Sequence, residues 1–260
     1  MSYDTLKVTR DDRGVVQLQL NRPDRRNALS AAMIDELARF AATDGAAPGT
    51  RAVVLSGAGP VFCAGGDLDW MRAQVAADRA GRLGAARALA GMLGALNAIP
   101  RPLIGRIHGG AYGGGLGLAC ICDTVVAAES ARFGLTETRL GLIPATIAPY
   151  VVARIGEGAA RRIALSARLL TAAEAARAGI VTTSVPDAAL DDAVAAELEP
   201  FLAVAPGAVA RTKALLRTLG PAIDAAAIDT SVDALADAWE DEEAAHGIAA
   251  FFQKRPARWG

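Results

Sequence analysis

The sequence predicts an α/β protein built on a largely parallel sheet and completed by a helical C-terminal region. Short apolar runs typical of buried strands, at 52–55 and 124–128, alternate with segments whose apolar residues recur at helical spacing. Strands that alternate with helices along a chain usually pair in parallel. Beyond Pro149 the apolar residues follow the helical period, so we expect the remainder of the chain to be helical.

Composition limits the class of protein. A chain of 260 residues with 52% hydrophobic residues can bury the core of one large domain, with at most a small appendage. The formal net charge of −1 gives no general attraction to nucleic acid or to an anionic membrane. Cys63, Cys120 and Cys122 do not form a disulfide or metal pattern, so we expect buried free thiols. No apolar signal core or membrane-spanning run is present, which predicts a cytoplasmic protein.

The N-terminal segment predicts an antiparallel hairpin and a capped helix. Apolar and polar side chains alternate at 6–8 and at 16–20, and turn-forming residues at 11–14 separate the two runs. A polar, arginine-rich loop follows at 21–29. Ser30 then precedes apolar residues at helical spacing, and its hydroxyl can cap that helix.

Two glycine-rich stretches follow predicted strands. The first covers 57–68, where Asp67 is placed to cap the next helix. The alanine-, arginine- and glycine-rich segment 72–84 shows weak periodicity, which predicts a mobile connection before a helix over 85–98. The second stretch, 108–119, contains six glycines in twelve residues after the apolar run 102–107.

The glycine run at 108–119 is predicted to turn a strand into a helix. Glycine permits positive φ and lets another molecule approach the backbone closely. The start of a helix directs free N–H groups and a positive dipole end at whatever is bound there. This arrangement suits an anion, or an oxygen that becomes an anion during a reaction. Close packing of a helix on a sheet is the alternative, and it would suffice for one or two glycines.

The C-terminal half predicts a series of helices. Apolar residues recur at helical spacing near 159–166, 172–178, 189–203, 208–217, 222–239 and 247–253. Among them, Ile228, Val232, Leu235 and Trp239 form a continuous apolar stripe.

Four motifs occur in order along the chain. They are Asn-Arg-Pro…Asn-Ala-Leu at 21–29, Phe-Cys-Ala-Gly-Gly-Asp-Leu at 62–68, the glycine run followed by Cys122-Asp123, and Phe-Gly-Leu-Thr-Glu-Thr-Arg-Leu-Gly-Leu-Ile-Pro at 133–144. With Phe-Phe-Gln-Lys-Arg at 251–255, nearly the whole chain resembles the enoyl-CoA hydratase/isomerase (crotonase) superfamily. The resemblance implies a spiral core of ββα units over 1–200 and a helical trimerisation region over 201–260.

The resemblance also implies a chemistry. Members of this superfamily bind acyl-CoA thioesters and hold the enolate oxygen with two backbone N–H groups, which here are those of Gly66 and Gly114. Such preorganised donors commonly contribute about 3 to 4 kcal/mol each to the transition state. Glu137 matches a catalytic acid/base, and its apolar surroundings should raise its pKa. Because CoA is part of the substrate, no separate cofactor and no metal is expected.

Further positions match contacts to CoA. They are Arg26, Ala28, Ala64, Asp67 and Leu68, and for any single arginine of the 21–29 loop a solvated surface position is an equal alternative. Superfamily members form trimers, often paired into hexamers, in which C-terminal helices complete a neighbour's site. Phe251 and Lys254 match positions that reach CoA in that way, and a core position is the alternative for Phe251.

Gly117 departs from the usual pattern of a hydratase, which has a second glutamate there. The stretch 142–150 resembles a branch that acts on branched glutaconyl-CoA substrates and often has glycine at this position. Those substrates include 3-methylglutaconyl-CoA and its isohexenyl relative, which carry a second carboxylate. A glutamate at 117 would repel that carboxylate and take up its space, and Arg139 is a candidate counter-charge.

We therefore expect a hydratase of the glutaconyl type that adds water to a 2-enoyl-CoA. The alternative is a Δ3,Δ2-enoyl-CoA isomerase, in which Glu137 removes an α-proton and returns it at the γ carbon. A non-catalytic acyl-CoA- or RNA-binding relative is an alternative of another class. The intact glycines and Glu137 argue against it, and the lack of net positive charge argues against RNA binding.

Overall fold

Nine strands organise the structure, a computed structural model that describes residues 2–259. Their bounds are β1 (Leu6–Arg10), β2 (Val15–Leu20), β3 (Ala52–Gly57), β4 (Leu103–Ile107), β5 (Gly110–Tyr112), β6 (Thr124–Ala128), β7 (Arg132–Gly134), β8 (Leu170–Thr171) and β9 (Thr183–Val185). Six of them form one sheet in the order β1-β2-β3-β4-β6-β9, and β5-β7-β8 form a second, smaller sheet. In the large sheet only the β1–β2 hairpin is antiparallel, which confirms the predicted hairpin and parallel pairing.

Ten α-helices connect and cover the sheets in residues 2–259. Their bounds are α1 (Ala31–Ala42), α2 (Leu68–Ala76), α3 (Arg79–Asn97), α4 (Gly114–Ile121), α5 (Ala148–Ala164), α6 (Ala172–Arg177), α7 (Leu190–Leu202), α8 (Pro206–Leu219), α9 (Ala225–Glu240) and α10 (Glu242–Phe252). Short 3-10 turns occupy Pro23–Arg25, Glu137–Leu140 and Asp187–Ala189.

Both faces of the large sheet are buried. One face packs against α7, where Leu190, Val194 and Leu198 meet side chains such as Val54 and Val126. The opposite face packs into the main core, which includes residues of α1, α3, α4 and α5. Continuous apolar strands are typical of parallel sheets covered on both faces, which explains the unbroken apolar runs of the sequence.

The predicted caps of α1 and α2 are confirmed. The Ser30 hydroxyl accepts a hydrogen bond from the backbone N–H of Met33 at 3.3 Å. The Asp67 carboxylate accepts from the backbone N–H groups of Asp69 at 2.8 Å and Trp70 at 3.3 Å. Each cap satisfies N–H groups that the first turn of a helix leaves without a partner.

The prediction of a mobile connection over 72–84 is wrong. Two helices, α2 and α3, cover this segment with a break of only two residues between Ala76 and Arg79. Asp78 caps α3, and the Arg82 side chain donates to the carbonyl oxygen of Gln74 at 3.0 Å. Tertiary contacts of this kind fix helices whose apolar pattern is weak.

Other boundaries differ from the sequence pattern. The helix expected near 159 begins at Ala148, and it continues past Gly156, whose φ of +74° kinks it. The short strands β5, β7, β8 and β9 escaped prediction because two or three residues carry too little periodicity. The division of the chain at residue 200 stays a prediction, and α7 runs through that position.

The last two helices pack against the segment that carries Glu137. Leu235 and Trp239 of α9 join Leu142 and Ile248 in one buried cluster. A side chain on Gly247 of α10 would overlap the backbone of Leu140, so only glycine allows this close approach.

The helices differ from membrane spans in length and hydropathy. Within residues 2–259, no single helix is long and apolar enough to cross a bilayer. One bent pair, Asp187–Leu202 with Pro206–Leu219, meets the length and composition requirement only when the two helices are taken together.

Candidate active site

A cavity of about 840 Å³ collects most of the predicted site residues. It lies where the loop after β2, the two glycine-rich turns, the segment 136–147 and α9 meet. The predicted residues that line it are Arg26, Ala28, Ala64, Gly66, Asp67, Leu68, Gly114, Glu137, Arg139 and Phe251. Gly117 and Lys254 are not among the lining residues. A larger cavity, of about 1140 Å³, lies beneath α8 and shares no lining residue with this one.

The two glycine-rich turns lie side by side. Cys63 pairs with Ala111 as parallel strands do, and a Cβ on Gly65 would stand 3.0 Å from the carbonyl oxygen of Tyr112. Gly65 and Gly113 have φ values of +95° and +50°, in the region that side chains disfavour. Glycine is therefore required in both turns, for close approach and for backbone shape.

Two backbone N–H groups in these turns are free. Among residues 2–259, neither the N–H of Gly66 nor that of Gly114 donates to a protein acceptor. Gly114 is the first residue of α4, so its N–H also lies at the positive end of a helix dipole. Two free donors on adjacent turns of one cavity can stabilise an oxyanion.

Glu137 presents a carboxylate with an unsatisfied oxygen to the same cavity. It begins the 3-10 turn Glu137–Leu140, and its Oε1 lies 2.9 Å from the point where a Cβ on Gly113 would stand. Its Oε2 is buried and has no hydrogen-bond partner among the described residues. Burial raises the pKa of Glu137 to about 7, although hydrogen bonds from nearby backbone N–H groups act in the opposite direction. A group with this pKa can both accept and return a proton near neutral pH.

Ile147 occupies the space in front of Gly117. A Cβ on Gly117 would stand only 2.6 Å from Ile147 Cγ2, and it is Ile147 that lines the cavity. The sequence argument held that glycine at 117 leaves room for a substrate carboxylate. The structure corrects this point, because the room is taken by an apolar side chain of the protein itself.

Asp67 has a structural role at the edge of the cavity. It is 3% exposed, caps α2, and accepts a hydrogen bond from Arg22 at 2.9 Å. Burial alone would raise the pKa of Asp67, but the hydrogen bonds from Arg22 and from the N–H groups of Asp69 and Trp70 lower it. The carboxylate is thus ionised and fully engaged by the protein.

The remaining predicted positions differ in exposure. Arg26 is exposed at the rim and has a φ of +51°, Ala28 is buried, and Leu68 is 40% exposed. Arg139 is exposed beside the cavity, and its side chain donates to the carbonyl oxygen of Ala167 at 2.6 Å. Arg26 and Arg139 therefore bring positive charge to the cavity mouth, as binding of an anionic substrate requires.

The C-terminal region closes the cavity of its own chain. Phe251 was expected to reach a neighbour's site, and here it lines the cavity of the same chain together with Leu235 and Trp239. Lys254 is exposed beyond the end of α10 and lies away from the lining. The sequence showed Leu235 and Trp239 only as part of an apolar stripe, because helical spacing does not distinguish a core face from a cavity wall.

In the part of the chain that the structure describes, no three His, Cys, Asp or Glu side chains come together as a metal site would require. The expectation that no separate cofactor is needed stays a prediction.

Comparison with known proteins identifies the family of this chain. The sequence matches the family described as enoyl-CoA hydratase/isomerase over residues 10–260. It is 36% identical to a putative enoyl-CoA hydratase of Thermus thermophilus, over 92% of this chain and 95% of that protein. It is 35% identical to the 2,3-dehydroadipyl-CoA hydratase of Escherichia coli, over 96% of each chain. The solved structure of Pseudomonas aeruginosa AtuE is 41% identical, covers 98% of each chain and superposes with a TM-score of 0.80.

These matches agree with the geometry of the site. Gly66, Gly114 and Glu137, for which the resemblance implies a catalytic role, line one cavity. The α/β fold of a crotonase core with C-terminal helices is confirmed. The chain belongs to the enoyl-CoA hydratase/isomerase family.

Proposed function

We propose that this protein hydrates the double bond of 2-enoyl-CoA thioesters. The observation that carries the proposal is the Glu137 carboxylate, which has a partnerless buried oxygen and a pKa of about 7. It shares one cavity with the free N–H groups of Gly66 and Gly114. Relatives named as an enoyl-CoA hydratase and as a 2,3-dehydroadipyl-CoA hydratase support the same reaction.

In the proposed reaction, the thioester oxygen accepts hydrogen bonds from the N–H groups of Gly66 and Gly114. Ionised Glu137 takes a proton from water while the water oxygen bonds to C3. The electron pair of the double bond moves onto the thioester as an enolate. Glu137 then gives its proton to C2, the enolate returns to a thioester, and the carboxylate is ionised again. One carboxylate can perform both transfers because its pKa lies near neutral pH.

We further propose a branched glutaconyl-CoA as the substrate, such as 3-methylglutaconyl-CoA or its isohexenyl relative. The stretch 142–150 supports this choice, and so does the relative named for 2,3-dehydroadipyl-CoA, an acyl group with a second carboxylate. In this chain Arg139 could meet that carboxylate with the donors that it does not spend on Ala167. The apolar branch would pack on Met71, Leu142 and Trp239.

The test compares three thioesters: crotonyl-CoA, a 3-enoyl-CoA and 3-methylglutaconyl-CoA. We expect 3-hydroxyacyl products from the 2-enoyl substrates, and Glu137→Gln should lower kcat by about 10²- to 10⁴-fold. Isomerised product without any 3-hydroxyacyl product would refute hydration. Activity retained by Glu137→Gln would mean that another group is the base.

A second pair of variants tests the glutaconyl substrate. Arg139→Gln should lower kcat/KM for 3-methylglutaconyl-CoA at least about tenfold more than for crotonyl-CoA, because only the former has a second carboxylate. Arg161→Gln is the matched control, since Arg161 is exposed on α5 and does not line the cavity. Equal effects of Arg139→Gln on both substrates would remove the glutaconyl assignment and leave the hydratase proposal standing.

An isomerase is the second candidate. The apolar side chain of Ile147 in front of Gly117 favours isomerisation. Isomerisation moves a proton from one carbon to another, so it needs no water at the wall that Ile147 forms. A 3-enoyl-CoA converted to the 2-enoyl isomer faster than any hydration would establish this alternative.

We also propose a cytoplasmic protein without nucleic-acid or membrane partners and without a separate cofactor. The net charge of −1 supports the absence of a nucleic-acid partner, because binding to phosphates needs clustered Lys and Arg. A salt-sensitive electrophoretic shift with RNA, but no binding of acyl-CoA, would instead establish the non-catalytic RNA-binding alternative.

Self-association as a trimer, or as a dimer of trimers, completes the proposal. The observation in support is α8, which buries none of its residues and exposes Leu215, Leu216 and Leu219 by 57%, 62% and 74%. Apolar patches of this kind mark contact surfaces. Sedimentation velocity should give a trimer or hexamer, and Leu216→Glu with Leu219→Glu should dissociate it. A monomeric wild-type protein would contradict this part.

A further inference from the structure

The contact between Gly117 and Ile147 fixes one wall of the cavity. Ile147 Cγ2 and Cβ would lie 2.6 Å and 3.0 Å from a Cβ on Gly117, so the branched side chain fills the groove that this glycine leaves on α4. Real Cβ atoms do not approach other atoms this closely. The two residues therefore fit together only because one of them has no side chain.

The backbone of Ile147 is anchored, so its side chain can yield only toward the cavity. Its carbonyl oxygen accepts hydrogen bonds from the N–H groups of Tyr150 at 3.1 Å and Val151 at 3.0 Å, which anchor it at the first turn of α5. The side chain is 2% exposed, and the backbone of α4 lies behind it. Packed interiors transmit such displacements because they contain few voids. A larger residue at 117 would consequently push Ile147 into the cavity.

The wall lies close to the reacting carbons. Gly117 follows the oxyanion donor Gly114 by three residues, which is about 4.5 Å along a helix. C2 and C3 of the substrate follow the thioester carbon directly, so they lie within reach of a wall at this distance. Ile147 and Glu137 line the same cavity, which brings the wall and the proton-transferring group to one substrate.

We propose that Ile147, seated on Gly117, is a specificity-determining residue that selects acyl groups by their bulk at C3. The inference rests on the proposed function, because it takes an enoyl-CoA as the substrate. Residue 117 acts through Ile147 and does not itself touch the substrate. Trimming Ile147 widens the cavity at C3, and enlarging residue 117 narrows it.

The test measures the ratio of kcat/KM for 3-methylcrotonyl-CoA to that for crotonyl-CoA, which cancels general losses of activity. One methylene group in an apolar pocket is worth about 10- to 200-fold in discrimination. Ile147→Ala should raise the ratio at least about tenfold, and Gly117→Ala should lower it by a similar factor. In the double variant the ratio should return toward the wild-type value, because the new methyl group at 117 takes the place of Ile147 Cγ2.

The control for the glycine substitution is Gly84→Ala on α3, where a Cβ would meet no atom within 4 Å. It should leave the ratio unchanged. A ratio that stays constant in both Ile147→Ala and Gly117→Ala would overturn the inference.

Thermal unfolding separates this inference from the proposed function. Gly117→Ala should lower the unfolding midpoint in the wild-type background, and lower it less when residue 147 is Ala, because the clash is relieved. If the wild-type protein hydrates no enoyl-CoA, the proposed function fails while this coupling remains measurable. Additive effects on the unfolding midpoint would overturn the fit between Gly117 and Ile147 regardless of activity.

Discussion

The raised pKa of Glu137 predicts a pH-dependent cost to stability. Its ordinary value is 4.5 and burial raises it to about 7, because the ionised form loses its hydration in the cavity. One pKa unit corresponds to about 1.4 kcal/mol, so holding Glu137 ionised in the folded state costs about 3 kcal/mol. The cost is absent below the unfolded-state pKa of 4.5 and fully present above about 7, so stability falls as the pH rises between them.

Glu137→Gln isolates this cost because glutamine has nearly the same shape and no charge. Relative to wild type, the variant should gain up to about 3 kcal/mol in free energy of unfolding at pH 8, and little at pH 4.5. Urea unfolding of both proteins at the two pH values measures the difference. An equal difference at both pH values would show that Glu137 has an ordinary pKa, and the reasoning on its burial would be refuted.

Three further predictions follow from single contacts. Gly113→Ala places a Cβ 2.9 Å from Glu137 Oε1, at a φ of +50° that disfavours a side chain. It should lower kcat in the hydration assay by about 10²-fold or more. An unchanged kcat would show that the shape of the turn at Gly113 does not affect Glu137. Asp67→Ala removes the cap of α2 and the ion-pair partner of Arg22. The free energy of unfolding, measured in urea, should therefore fall by about 3 kcal/mol. A fall of less than about 1 kcal/mol would contradict the structural role of Asp67. Burial raises the pKa of Cys63, Cys120 and Cys122 to about 12, so a thiol reagent at pH 8 should label them only after unfolding; rapid labelling of the folded protein would show that they are accessible.

The local signals of the sequence predicted much of the fold. Apolar runs such as 52–55 mark strands buried on both faces, and Ser30 and Asp67 mark helix starts through their own side chains. The prediction of a mobile connection over 72–84 was wrong for a different reason. The helices there are held by distant partners, since Arg79 pairs with Asp237 and Glu240 of α9, and no local pattern reveals such contacts.

In the candidate site too, local sequence features could be predicted and features that depend on distant contacts could not. Gly66 and Gly114 could be predicted because the motifs around them carry the resemblance, and because each follows a glycine, Gly65 or Gly113, whose positive φ disfavours a side chain. Ile147 could not be predicted, since its role depends on where α5 meets α4. Phe251 lines the cavity of its own chain because α10 packs on the turn 137–140, and its contact with a neighbour's CoA stays a prediction.

The contact of Gly247 in α10 with the turn Glu137–Leu140 forms late during synthesis of the chain. Gly247 leaves the ribosome only after all strands and the two oxyanion turns have been made. Until Gly247 packs on Leu140, the turn that carries Glu137 lacks this contact, and Leu142 lacks its contact with Ile248. A chain that ends before α10 would lack both of these contacts. The contacts that hold the segment of Glu137 are therefore complete only once α10 has been made.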